Sequence, residues 1–411
     1  MKASRPYHYI ITITLALSVF WACSKTTQPD DADPASPPDT TRAAGEVPQV
    51  ETLEITNITR TTAEGGGKII DNGSSGVESR GLCWNTTGSP TTDDAQSDAS
   101  SVLGSGEFTA SLDNLTDNTT YYVRAYGVNE AGTGYGNEVT FKTAPAEVPV
   151  VEVETDYAAG TETAFISARV ISEKGYPVTE RGICWGKEPD PDVSGQKSSE
   201  GEGPGSFLGR IEGLEPETVY YVRAYATSSK GTGYSRAIQV RTITKGNINY
   251  TIHKIAHPSE ELQTHYTRIE QAFEQAAYYY ENFTSIEKEL NVYYNPNVPT
   301  ADGHINGTIR MGSNPSYQQT GTAMHEIMHT VGVGQHWMWN ELISGGKYQG
   351  EHANRMLQIM TGDTTAVISG DGLHFWPYGI NGAHEDTGEE TLYIIHALIV
   401  QGMKKDGLPS H

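Results

Sequence analysis

Tyr121-Tyr122-Val123-Arg124-Ala125-Tyr126 returns as Tyr220-Tyr221-Val222-Arg223-Ala224-Tyr225. Flanking blocks return with it. Arg80-Gly81-Leu82-Cys83-Trp84 recurs as Arg181-Gly182-Ile183-Cys184-Trp185, and Gly132-Thr133-Gly134-Tyr135 as Gly231-Thr232-Gly233-Tyr234. The period is about 100 residues, the size of a domain, so the blocks mark a tandem pair and not a solenoid. Alternation within the tyrosine-rich block sends one side chain inward and the next outward, the period of a half-buried strand. Clusters of Asn, Gly, Asp and Pro interrupt such stretches at short intervals. Each copy therefore reads as an all-β sandwich with one Trp on a central strand, the first over 48–145 and the second over 146–244.

The phrase L-x-x-x-T-x-Y-Y-V-R, from Leu115 to Arg124 and again from Leu214 to Arg223, resembles fibronectin type III domains. The resemblance implies modules that serve more often as spacers than as binding sites. Cys83 and Cys184 hold equivalent core positions in two separate domains, which keeps them out of disulfide reach. Both are expected to be buried free thiols.

The 411 residues suffice for about three domains, and a formal charge of −23 argues against nucleic-acid binding. No basic stripe offers a footprint for phosphates. At the N-terminus, Lys2 and Arg5 precede an apolar run from Tyr9 to Trp21 that suits a secretory signal better than a membrane span. It ends in Phe20-Trp21-Ala22-Cys23, where a small residue followed by Cys resembles a bacterial lipoprotein cleavage site. The resemblance implies removal of residues 1–22 and lipid on Cys23, although Phe20 and Trp21 are bulkier than the usual pattern. Residues 23–47, rich in Pro, Asp, Thr and Ser, read as a disordered tether.

From residue 245 the texture changes from β to mixed α+β and stays so to 411. Leu262, Tyr266, Ile269, Phe273, Ala276 and Tyr280 form one apolar stripe of an amphipathic helix. Strands are expected over 290–294 and 307–311. A helix over 318–331, ended by Gly332, follows. A short helix near 353–360 and a final one, opening on a Thr387-x-x-Glu390 capping box and running to Lys405, complete the region.

The chemistry sits on the middle helix, in His325-Glu326-Ile327-Met328-His329. Histidines four residues apart stack on one helix face, where both can reach one zinc ion. Glu326, beside the first ligand, can then act as general base on the zinc-bound water and return the proton to a leaving amine.

This segment resembles the zincin metallopeptidases, and His325-Glu326-x-x-His329-x-x-Gly332 is similar to the metzincin pattern. That pattern places a third histidine three residues after the glycine, where this chain has Gln335. Two residues compete for the third position. His336 stands one residue late and is favoured by proximity, with a bulge at Gly334 to absorb the extra residue. His374, in Gly370-Asp371-Gly372-Leu373-His374-Phe375-Trp376-Pro377-Tyr378-Gly379, is the rival. The His-Phe-Trp-Pro-Tyr-Gly phrase also looks like one in uncharacterised exported zincin-like domains, some joined to sugar-binding modules. Tyr378 is a candidate oxyanion stabiliser, as is His374. The metzincin resemblance also implies a methionine turn beneath the zinc, for which Met360 is the one candidate and is not counted, since it equally reads as a helix end. The resemblance to zincins places the edge for pairing an extended peptide at the strand near Ile309.

The expectation is thus two all-β, fibronectin type III-like sandwiches followed by an α+β zincin-like domain. Function follows as an exported zinc endopeptidase with one Zn²⁺ per chain, anchored by its N-terminal lipid at the outer membrane or surface of a Gram-negative bacterium. Its substrate would be extracellular protein or peptide. The alternative is a surface lipoprotein that grips protein or glycan through the sandwiches and a non-proteolytic zinc domain.

Overall fold

A computed structural model describes residues 45–99 and 104–409. The signal segment, most of the tether and Cys23 lie outside the described residues. The chain divides into two compact units, Met1–Ala144 and Pro145–His411.

In the first unit, strands Gln49–Thr52, Ala63–Asp71 and Gly106–Leu112 form one antiparallel sheet. The other is built on Ser79–Asn85 paired with Thr120–Asn129. The second unit repeats this scheme, with Val178–Gly186 paired to Val219–Ser228. Matching sequence blocks produce matching register. Cys83 faces Arg124 and Trp84 faces Val123, as Cys184 faces Arg223 and Trp185 faces Val222. Alternation then sorts the faces. Val123, Ala125, Val222 and Ala224 are buried, whereas the Arg124 and Arg223 guanidinium groups each lie 4.5 Å from the centre of a Tyr ring, Tyr135 and Tyr234 respectively. Tyr121 and Tyr220 accept a backbone N–H from Thr116 (2.9 Å) and Glu215 (3.0 Å), closing the same corner in both copies. Cys83 and Cys184 are buried and free.

The second sandwich shares its unit with the helical region. Ala158 and Phe165 belong to the same buried cluster as Ile269, Phe273 and Tyr280. Around that apolar contact, Thr161 N donates to Asn282 O at 2.8 Å and Arg355 Nε to Asp156 Oδ2 at 2.6 Å. Arg210 pairs with Glu390 at 3.2 Å. Exposed ion pairs contribute at most about 1 kcal/mol each, so the apolar contact dominates.

The helical region is built on a four-stranded sheet. Strands Asn247–His253, Glu287–Tyr294 and Thr308–Met311 run parallel, and Ala301–Gly303 pairs antiparallel at the edge. The strand holding Ile309 is therefore internal, paired on both sides. The edge is the three-residue strand before it, too short to carry a periodic signal. Helix α1 (Glu260–Phe283) connects the first two parallel strands and starts on Ser259, whose hydroxyl accepts the Leu262 N–H. The expected stripe faces the core: Tyr266, Ile269, Phe273, Ala276 and Tyr280 are buried, and only Leu262 at the first turn is half-buried.

Helix α2 (Thr320–Thr330) lies alongside the edge strand, with Gly303 against the backbone of Glu326. Helix α3 is Trp337–Leu342, α4 Glu351–Thr361 and α5 Glu390–Lys405. The capping box before α5 does not form. Glu389 is the N-cap, without a side-chain bond, and the Glu390 carboxylate is engaged by Arg210. Met360, in the last turn of α4, lines a groove shared with Phe207 and Leu208 of the sandwich and is not among the residues lining the histidine cavity.

Candidate metal centre

Helix α2 carries His325, Glu326 and His329, all buried. A ligand nitrogen from each of His325, His329 and His374 lies within 4.8 Å of the other two. His374 precedes the two-residue strand Phe375–Trp376, and the chain brings it there through a contact between distant backbones. Gly332 (φ +108°) ends the helix by turning the chain, and Gly334 (φ +68°) then lets it pass against Leu373. A Cβ on residue 334 would lie 2.6 Å from Leu373 Cα and 2.9 Å from its carbonyl carbon. Glycine is required here for both dihedral and space.

Gly334 therefore does not swing His336 into the site. His336 N donates to Gly332 O at 3.0 Å, and His336, with extended dihedrals, is the N-cap of α3. Its Nδ1 accepts the Met338 N–H at 3.3 Å and its ring lies beside Trp337. Proximity in sequence favours His336, but the histidines whose nitrogens come together are His325, His329 and His374, while His336 caps α3. Gln335, at the metzincin third-histidine position, lines the cavity instead.

The hydrogen bonds assign the tautomers. His325 Nδ1 lies 2.8 Å from Gly379 O, and His329 Nδ1 lies 2.8 Å from Val333 O. A carbonyl only accepts, so both Nδ1 atoms carry the proton and both Nε2 atoms present lone pairs. Those Nε2 atoms face each other at 3.1 Å. Lone pairs at that distance repel unless a cation lies between them. Two nitrogens on a tetrahedral zinc with bonds of 2.0–2.1 Å are separated by roughly 3.3 Å, so the donor set fits the ion. The third ring stands 5.4 Å from His325 and 5.6 Å from His329 between centroids. Behind it, His374 Nδ1 is 3.8 Å from Asp371 Oδ1.

Burial sets the electrostatics. It pushes His325 down to about 3, helped by neighbouring His329 and opposed by the Gly379 bond. His329 is lowered for the same first reason. Neutral imidazoles are the form that binds metal. Burial, then the charge of Asp302, pushes Glu326 up to about 8, while a backbone bond from Gly303 opposes.

All three histidines and Glu326 open on one cavity of about 270 Å³, also lined by Asp302, Gly303, Tyr317, Thr322 and Asn381. Tyr378 is not among its lining residues. The residue sits at φ +68° with its carbonyl bound to His396 Nδ1, and its ring packs against the core. The phenol beside the cavity is Tyr317, on the turn Pro315–Tyr317 before α2. Neither Tyr317 nor Asn381 stood out in the sequence. Asn314-Pro315, a turn signal directly before a histidine-bearing helix, is the cue that points to Tyr317.

No family model matches the chain. Among curated proteins it is similar to chicken (Gallus gallus) fibronectin type-III domain-containing protein 3a, 32% identical over 132 residues. The match covers 30% of this chain and 10% of that protein. The chain carries fibronectin type III-like domains. Among solved structures it is similar to the FN1–FN3 domains of chicken CNTN1 at 19% identity, covering 48% of this chain and 69% of that one. The TM-score of 0.21 is too low to establish a common arrangement.

Proposed function

We propose that the helical region is a zinc-dependent endopeptidase domain of zincin type, with His325, His329 and His374 as ligands and Glu326 as general base. The observation that carries this reading is the pair of Nε2 lone pairs facing each other at 3.1 Å in a cavity that Glu326 also lines. A site that only stored metal would have no use for a buried carboxyl beside its ligands.

Zinc, when bound, supplies Lewis acidity, polarising a carbonyl and acidifying water at the site. The remaining work falls to the chain. Gly379 and Val333 hold the ligand tautomers through their carbonyls. Glu326 takes a proton from the attacking water and returns it to the leaving amine. Tyr317 is the phenol available to a developing oxyanion. The edge strand Ala301–Gly303 offers backbone groups to an extended substrate. Export, lipid on Cys23 and an extracellular protein substrate complete the proposal, and the fibronectin-like modules carry the domain.

The test is hydrolysis of a mixed peptide library. Wild type should cut, and Glu326→Ala should abolish cutting while zinc stays bound. Full activity in Glu326→Ala would sink the mechanism. A wild type that binds zinc and cuts nothing would favour the binding reading.

A further inference from the structure

The turn that supplies the Gly379 carbonyl to His325 is strained. Tyr378 (φ +68°) and Ile380 (φ +52°) flank Gly379, and both are L residues in the left-handed region. For a β-branched residue such as isoleucine this is a genuine outlier. Such a conformation persists only where its surroundings hold it. One element here does so from the far side of the core.

His396, in the middle of α5, is fully buried. Its Nδ1 lies 2.8 Å from Tyr378 O, so Nδ1 carries the proton and donates. Its Nε2 lies 3.1 Å from the Tyr280 hydroxyl, on α1. That hydroxyl has a single proton to share between His396 Nε2 and Met324 O, which lies 3.0 Å away on the residue before His325. Phe375 stacks on the imidazole at 5.8 Å. Within the turn, Asn381 Nδ2 donates to Phe375 O at 2.9 Å and Asn381 N to Glu385 Oε2 at 2.9 Å. The network thus grips the turn and the ligand-bearing helix together, and Ile380 and Asn381 carry it to the cavity wall.

We propose that His396 and Tyr280 are positioning residues for the metal ligand His325, acting by holding the Tyr378–Gly379–Ile380 turn so that the Gly379 carbonyl fixes the ring and its tautomer. The inference rests on the reading of His325, His329 and His374 as a zinc site. It gives a reason for burying a histidine and a tyrosine hydroxyl in the core, where leucine and phenylalanine would pack without polar atoms to satisfy. It also explains how a turn can be kept in left-handed dihedrals without glycine at Tyr378 or Ile380.

The test is zinc affinity of the purified protein by competition with a chromophoric chelator, together with the visible spectrum of the cobalt(II) form. His396→Leu should lose about 10-fold or more in zinc affinity, the scale of lost outer-sphere bonds, and should change the cobalt spectrum. His396→Asn, which keeps a donor where Nδ1 stood, should recover most of that affinity. Tyr280→Phe, which removes one hydroxyl, should fall between. Arg210→Ala, at the sandwich contact, serves as the control for general destabilisation and should leave the spectrum unchanged. His396→Leu that folds and binds zinc within about twofold of wild type would overturn the proposal. If that variant does not fold, unchanged affinity in Tyr280→Phe overturns it. A wild type that binds no zinc removes the site reading and this proposal with it, whereas tight wild-type binding with indifferent variants removes this proposal alone.

Discussion

Gly334→Ala is expected to weaken zinc binding without touching a ligand. The added methyl group would meet Leu373 Cα at 2.6 Å, and ordinary contact begins at 3.4 Å. The neighbour is backbone, so the Leu373–His374 segment must retreat by roughly 0.8 Å to restore a normal carbon–carbon distance. Metal–ligand distances tolerate about ±0.2 Å. His374 is the next residue, so the displacement should pull its nitrogen off position and cost about 10- to 100-fold in zinc affinity, as losing a supporting contact does. A left-handed dihedral at alanine adds about 1–2 kcal/mol to the stability loss. Gly362→Ala separates the two effects. Gly362 has φ +71°, almost the same dihedral, with nothing within 4 Å of its Cβ position. It should lose about 1 kcal/mol in stability and nothing in zinc affinity. Chelator competition reads the affinity and urea unfolding of the metal-stripped protein reads the stability. Equal zinc affinity in Gly334→Ala and wild type, or equal losses in both glycine variants, would refute the reasoning.

Phe165→Ala should destabilise the second sandwich and the helical region together by about 3–5 kcal/mol, because Phe165 lies in their shared core; separate urea transitions for the two would contradict this. His396 is pushed down to about 4 by burial, against about 6.5 in an unfolded chain. As pH falls the unfolded state takes the proton first, so this contribution to stability is intact above pH 6.5 and is lost towards pH 4, about 3 kcal/mol in all. Urea titrations of metal-stripped protein should show that loss, with a shallower slope in His396→Asn; identical slopes would rule it out. Burial pushes the Cys83 and Cys184 thiols up to about 11. Both should resist alkylation at pH 8 until denaturant is added, and fast labelling of the native protein would count against the buried cores.

The parts of the molecule legible in the sequence are those fixed by local period. The repeated blocks adopt the same register twice because inward and outward positions alternate identically, as at Cys83–Arg124 and Cys184–Arg223. His325 and His329 are legible together because one helical turn separates them. What sequence spacing misreads is set by distant contacts. His374 reaches the site because backbone passes close at Gly334, a contact that no spacing encodes. His336 is nearer in sequence but stands at the N-cap of α3, outside the histidine group. Glu390 looks like half of a capping box, yet Arg210, 180 residues earlier in the chain, takes its carboxylate. Tyr378 looks like a site phenol, yet its ring packs against the core, whereas Tyr317 reaches the cavity from an unremarked turn.

The central claim is that three histidines, His325, His329 and His374, hold one metal ion. Zinc content per chain, measured by elemental analysis on wild type, His336→Ala and His374→Ala after equilibration at limiting free zinc, tests it most directly. The structure leads us to expect about one zinc in wild type and in His336→Ala, and a large loss in His374→Ala. Zinc retained in His374→Ala and lost in His336→Ala would contradict the account.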